Sequence, residues 1–136
     1  MPDVYPAGMQ FYASQSGTAL GIFRPLSRFQ GDLILFGPDG DALWSRHFEG
    51  RKINDFEWRE DGGLIVVGGS DQKAAWLASY DTSGEVTSER ELTDCAPCIS
   101  ESIQYIQADK YAVSGQGAKS GGAVGWVRII DSGGGT

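Results

Sequence analysis

The stretch GGLIVVGGSDQKAAWLASYDTSGEV, residues 62–86, decides the fold. Leu64-Ile65-Val66-Val67 is a continuous apolar run between glycine pairs, the composition of a short strand covered on both faces. Trp76-Leu77-Ala78-Ser79-Tyr80 is a second such run, and Ser83-Gly84 after it supplies a turn. The local reading is strand, turn, strand, turn. The architecture then depends on whether this unit occurs once or recurs.

It recurs. Moved back by 44 residues, Leu64, Val66 and Val67 fall on Leu20, Ile22 and Phe23, and Leu77 falls on Leu33. At the same offset Tyr80 meets Phe36, Gly84 meets Gly40, Arg90 meets Arg46 and Leu92 meets Phe48, with no gap. Moved forward by 47, Phe56 and Trp58 meet Ile103 and Tyr105, and Leu64 and Gly68 meet Tyr111 and Gly115. Trp76, Tyr80 and Gly84 meet Trp126, Ile130 and Gly134 at 50, which puts a three-residue insertion in the glycine-rich loop GQGAKSGGAVG, residues 115–125. Three copies result, about 8–50, 51–94 and 99–136, within a single all-β repeat domain spanning 1–136.

Strand patterns fill the copies: 19–26, 32–37 and 42–48, then 53–60, 64–69 and 76–81, then 102–107, 111–115 and 126–131. The run at 42–48 alternates, with Leu43, Ser45 and His47 on one face and Trp44, Arg46 and Phe48 on the other. The best helix candidate, SERELTD at 88–94, is short and abuts a strand pattern. We expect a fourth strand in each full copy beyond these, and four antiparallel strands at a period near 40–50 are the sequence sign of a β-propeller blade.

DGGLIVVGGSDQKAAWLASYDTSGEVTSEREL (61–92) resembles the bacterial β-propeller repeats of the form DGGYIVAGSTD…DAWLVKLDSSGNVLWSKTF, which are similar to quinoprotein-like propellers. DLILFGPDGDALWSRHF (32–48) carries the second half of that pattern, including its Leu-Trp. The second copy departs from it, with Val86-Thr87-Ser88 where the Leu-Trp pair belongs. The resemblance implies a repeat of structural character, found in secreted and surface proteins, and carries over no catalytic or cofactor-binding residue. It favours a periplasmic or extracellular setting.

Three copies fall short of the roughly four to eight blades of a closed ring, and the third lacks its outermost strand. Open faces and edges of that kind invite pairing. Two chains closing a six-bladed ring, a piece of a longer propeller, and an open sandwich or barrel are the alternatives. We expect a homo-oligomer or a place in a larger protein assembly, with PDVYPAG (2–8) a candidate for the missing outer strand.

Eleven Lys and Arg against eighteen Asp and Glu leave a net charge of −7, spread along the chain. No basic stripe offers itself to nucleic acid or to anionic lipid. No apolar run approaches the roughly 18–20 residues of a membrane span. The first residues lack the pattern of a secretory signal, so we expect a chain that stays in the cell or has lost a leader.

Cys95-Ala-Pro-Cys98 has the spacing of a local disulfide, of two idle thiols, or of a redox or zinc half-site. His47, the one histidine, has no nucleophile motif beside it. Asp39, Asp41, Asp55, Glu57, Glu60 and Asp61 read as turn chemistry before calcium ligands. Trp44 and Trp58 are candidates for stacking on a carbohydrate, whereas Trp76 and Trp126 share a repeat position and are expected to pack between copies. GQGAKSGG lacks the Lys-Ser/Thr ending of a phosphate loop. The expected function is a non-enzymatic binding or scaffold module, without cofactor, that presents a surface to protein partners or to its own copies. The alternatives are a lectin-like propeller and a fragment of a larger propeller enzyme.

Overall fold

A computed structural model describes residues 10–13, 20–27, 30–71, 73–93, 95–119 and 122–131. All regular structure among them is β-strand. The first four strands are β1 (Gln10–Ala13), β2 (Leu20–Ser27), β3 (Gln30–Phe36) and β4 (Ala42–Glu49). They are followed by β5 (Arg51–Trp58), β6 (Leu64–Ser70), β7 (Ala75–Tyr80) and β8 (Val86–Leu92). The last three are β9 (Cys98–Gln107), β10 (Lys110–Lys119) and β11 (Gly122–Ile130). Each strand pairs antiparallel with its sequence neighbour, giving three meanders: β1 to β4, β5 to β8, and β9 to β11. We call them the first, second and third sheets. The proline-rich residues 2–8 lie outside the described residues.

The copies coincide in hydrogen-bond register. Leu20 faces Phe36 across β2–β3, and Leu64 faces Tyr80 across β6–β7, both displaced by 44. Tyr111 facing Ile130 across β10–β11 is the third instance. The irregularities recur too: the shift between Leu35 and Phe36 in β3–β4 returns between Ser79 and Tyr80 in β7–β8. The β5–β6 ladder skips Asn54, and the β9–β10 ladder skips Glu101, 47 residues later. A register slip of one residue would turn every side chain to the wrong face, so shared bulges mark a shared design.

The Asn54 and Glu101 bulges each face a glycine. A Cβ at Gly68 would collide with the Lys52 carbonyl oxygen, and one at Gly115 with the Ile99 carbonyl oxygen. Gly40, Gly62 and Gly84 do a different task, taking φ of 90°, 91° and 87° in hairpin turns with one hydrogen-bond pattern. In the last of these turns, Gly84 N–H donates to Asp81 O and Asp81 N–H donates to Glu85 O.

The helix candidate at 88–94 is strand through Leu92: residues 86–92 form β8, pair with β7 from Ala75 to Tyr80 and bury Leu92. One sequence expectation changes. The insertion at 115–125 lengthens a ladder instead of making a loop: β10 and β11 stay paired out to Lys119 and Gly122.

The sheets stack face to face. β6 and β7 are buried at every position. Leu64, Val66, Trp76, Ala78 and Tyr80 meet Leu33, Leu35 and Phe48 of the first sheet. Ile65, Val67 and Leu77 meet Ile103, Tyr111, Val113 and Ile130 of the third. The two interfaces use equivalent positions: Phe56, Leu64, Val66 and Tyr80 look back at the first sheet as Ile103, Tyr111, Val113 and Ile130 look back at the second. Each such large apolar side chain contributes about 1.5–3 kcal/mol by leaving water.

The two kinds of glycine respond differently to substitution. Gly68→Ala drives a methyl into backbone and is expected to cost about 3 kcal/mol, near the upper range for a point change. Gly40→Ala has open space around it and carries only the left-handed backbone penalty, about 1 kcal/mol. Urea unfolding of the two variants measures the difference.

Candidate interaction surface

The second and third sheets are joined by acceptors on β5. Asp55 Oδ1 accepts the Phe56 N–H at 2.9 Å, and its Oδ2 accepts the Ile103 N–H at 3.0 Å. Glu57 Oε2 accepts the Trp58 N–H at 3.2 Å, and its Oε1 accepts the Tyr105 N–H at 3.0 Å. Phe56 and Ile103 are repeat equivalents, as are Trp58 and Tyr105. Each carboxylate thus bridges the same amide of two successive edge strands. Asn54 Nδ2 adds a donor to Ser100 O at 2.8 Å, and Glu60 Oε1 accepts the Asp109 N–H at 2.7 Å. Asp55 and Glu57 are therefore strand residues that satisfy edge amides, not the turn residues that clustering suggests. Asp39, Asp41 and Asp61 do lie in turns, and Asp61 Oδ1 accepts the Gly63 N–H at 2.9 Å. Among the described residues, no group of three or more His, Cys, Asp or Glu side chains is placed to hold a metal ion.

The tryptophans divide. Trp76 is fully buried, meets Phe48 edge-on at 5.5 Å, lies under the Arg51 guanidinium, and donates from Nε1 to Glu89 Oε2 at 3.2 Å. Trp126, its equivalent, packs against the cluster of Ala75, Leu92 and Cys98. Trp58 is 4% exposed in the core between the first two sheets, where no ring face is open to a sugar. Trp44 lies against Tyr80 and over Gly84, and Arg46 beside it donates from Nε to Gly84 O at 2.6 Å. Trp44 and Arg46 clamp β4 onto the turn between β7 and β8.

Cys95 and Cys98 are joined by a disulfide at the entry to β9. The Cys98 N–H donates to Lys73 O at 2.9 Å, which ties the bridge to the turn between β6 and β7. His47 is exposed, with Nδ1 2.7 Å from Asp32 Oδ1 and Nε2 3.5 Å from Glu49 Oε1. The hydrogen bond to Asp32 leads the causes that raise its proton affinity above the usual 6.5.

Arg59 was not singled out by the sequence. Its Nη1 donates to Ser79 Oγ, Tyr80 O and Thr87 Oγ1, and its Nη2 to Asp61 Oδ2 at 2.7 Å. An open recess beside it is lined by Glu60, Asp61 and Asp109 as well, so the guanidinium is already engaged and the recess is acidic.

The remaining feature is apolar. Val127 is 68% exposed and Ile129 45%. They occupy on the third sheet the positions of Leu77 and Ser79 on the second, and Leu77 is 3% exposed beneath the third sheet. Among the described residues nothing covers this outward face. No helix among them is long and apolar enough to cross a membrane. Compared with known proteins, the chain matches no family model and no curated protein.

Two outcomes follow from these contacts. Asp55→Ala strands two edge amides and is expected to cost about 2 kcal/mol in urea unfolding. For His47 the folded pKa is raised, so its pair with Asp32 supports the fold below about pH 6.5 and ceases to as pH climbs through the raised value. An NMR titration of the His47 ring should show a midpoint above 6.5 that falls back in Asp32→Asn; an unchanged midpoint would exclude the pair.

Proposed function

We propose that the chain is a non-enzymatic, β-propeller-like module whose sheets are blades, and that it works by presenting the outward face of the third sheet for assembly with a second copy. One observation carries this reading. The stacking of the second sheet on the first is repeated, position by position, in the stacking of the third on the second, and among the described residues the third leaves an uncovered face of the same kind. Val127 and Ile129 are the centre of that face.

At the other end of the stack, register places Leu20, Ile22 and Phe36 of the first sheet at the positions that Leu64, Val66 and Tyr80 hold in the second, where they receive a neighbour. A third sheet stacked on the first sheet of another chain is a head-to-tail contact, which closes when the rotation per sheet allows it. Two chains would then form six blades, within the roughly four to eight known for rings.

Size-exclusion chromatography with light scattering at micromolar concentration tests the proposal. The unaltered chain should elute with the mass of two chains. Val127→Lys with Ile129→Lys should shift it to one, weakening association by at least tenfold. A stable monomer across the micromolar range rejects the reading.

A further inference from the structure

The outer edge of β11, unpaired among the described residues, points to a second, independent surface. Among the described residues, β11 is the outermost strand of the third sheet, whereas the corresponding strands β3 and β7 are each followed by a paired outer strand. A nine-residue edge leaves a row of backbone donors and acceptors ready for another strand. Register defines what that strand must look like. β7 and β11 are equivalent at an offset of 50, so the pairing of β8 on β7 can be carried across. Leu92, opposite Ala75, would stand opposite Gly125; Glu91, opposite Trp76, would stand opposite Trp126; Glu89, opposite Ala78, would stand opposite Arg128.

One side chain on β11 asks for an acceptor there, and a second sets the charge beside it. Trp76 Nε1 donates to Glu89 Oε2 of the outer strand, but Trp126 Nε1 is buried with no acceptor. A buried donor without a partner costs free energy that an incoming carboxylate would recover. The second is Arg128, which places a cation across from the Glu89 position where the second sheet has only Ala78. Gly125 leaves room for the apolar residue three places further on, since a Cβ there would meet only the Gly115 carbonyl oxygen at 3.9 Å.

We propose that the β11 edge binds an extended acidic peptide segment antiparallel, with a carboxylate on Trp126 Nε1 and Arg128 and an apolar residue three positions later over Gly125. This is strand addition, in which main-chain hydrogen bonds supply affinity and one side-chain contact supplies selection. It rests on the shared register and not on ring closure.

The probe is a synthetic peptide of residues 85–93, EVTSERELT, added to the Val127→Lys chain, in which stacking through the outward face is blocked. Binding should be saturable, should move the Trp126 indole N–H downfield in an NMR spectrum, and should protect alternate β11 amides from hydrogen exchange. Glu89→Ala in the peptide should weaken binding about tenfold, the size of a hydrogen bond to a charged acceptor. In a Trp126→Phe chain the two peptides should bind within about twofold of each other. Arg128→Gln provides a second chain in which their difference should shrink, should the tryptophan variant not fold. Absence of saturable binding up to millimolar peptide, or equal binding of both peptides to the Val127→Lys chain, overturns the proposal. Neither result depends on whether the unaltered chain dimerises.

Discussion

β6 and β7 are apolar on both faces, and a strand pair of that kind needs a cover on each side. Alternation divides their residues into two sets, one for each neighbour. The set facing the first sheet is large and aromatic, led by Trp76 and Tyr80, and accepts Leu33, Leu35 and Phe48. The set facing the third is aliphatic: Ile65, Val67 and Leu77. Each sheet therefore receives its predecessor on an aromatic side and offers its successor an aliphatic one. Stacking has a direction, and an end of the stack is a surface of defined chemistry.

Apolar contact does not fix how far one sheet slides over the next. The carboxylates of Asp55 and Glu57 do. Each accepts an amide from its own strand and the equivalent amide from β9, so a slip of the third sheet would break both pairs at once. Charge-assisted bonds suit this task because they are shorter and stronger than neutral ones. They also occupy the donors of two strand edges that would otherwise be open to further pairing. The third copy carries Ser102 and Gln104 at these positions, so its hold on any neighbour would be neutral and weaker.

The fold was legible because its repeat is written in residues that geometry forces. Gly68 and Gly115 sit opposite bulges where any Cβ meets a carbonyl, so they mark the same point in two copies whatever surrounds them. Strand β8 was less legible. Its glutamates and arginine suit a helix as well as an exposed outer strand, and only pairing with β7 decides between them. The same limit hid the site. Asp55 and Glu57 resemble any acidic residues near a turn until β9, some 45 residues later, brings its amides to them. Trp44 and Trp58 were equal candidates for ligand stacking, yet one clamps a turn from the outer strand β4 and the other is core on β5, although both pack into the interface of the first two sheets. Arg59 offered no signal, since its acceptors come from two strands and a turn.

One repeat position shows how the two ends diverge. Trp76 and Trp126 occupy it in the second and third sheets, but the first sheet has Asp32. A carboxylate there would be costly under an apolar neighbour, were it not bound to His47, which stands directly across the strand pair. Glu91 is the residue at the His47 position in the second sheet, and it pairs with the Arg51 that covers Trp76. The first sheet thus replaces a tryptophan under a salt bridge with a hydrogen-bonded acid and histidine, which water can wet without cost. The third keeps the tryptophan and loses the acceptor. The same repeat position thus meets its surroundings with different chemistry, a hydrogen-bonded acid and histidine in the first sheet and a buried indole without an acceptor in the third.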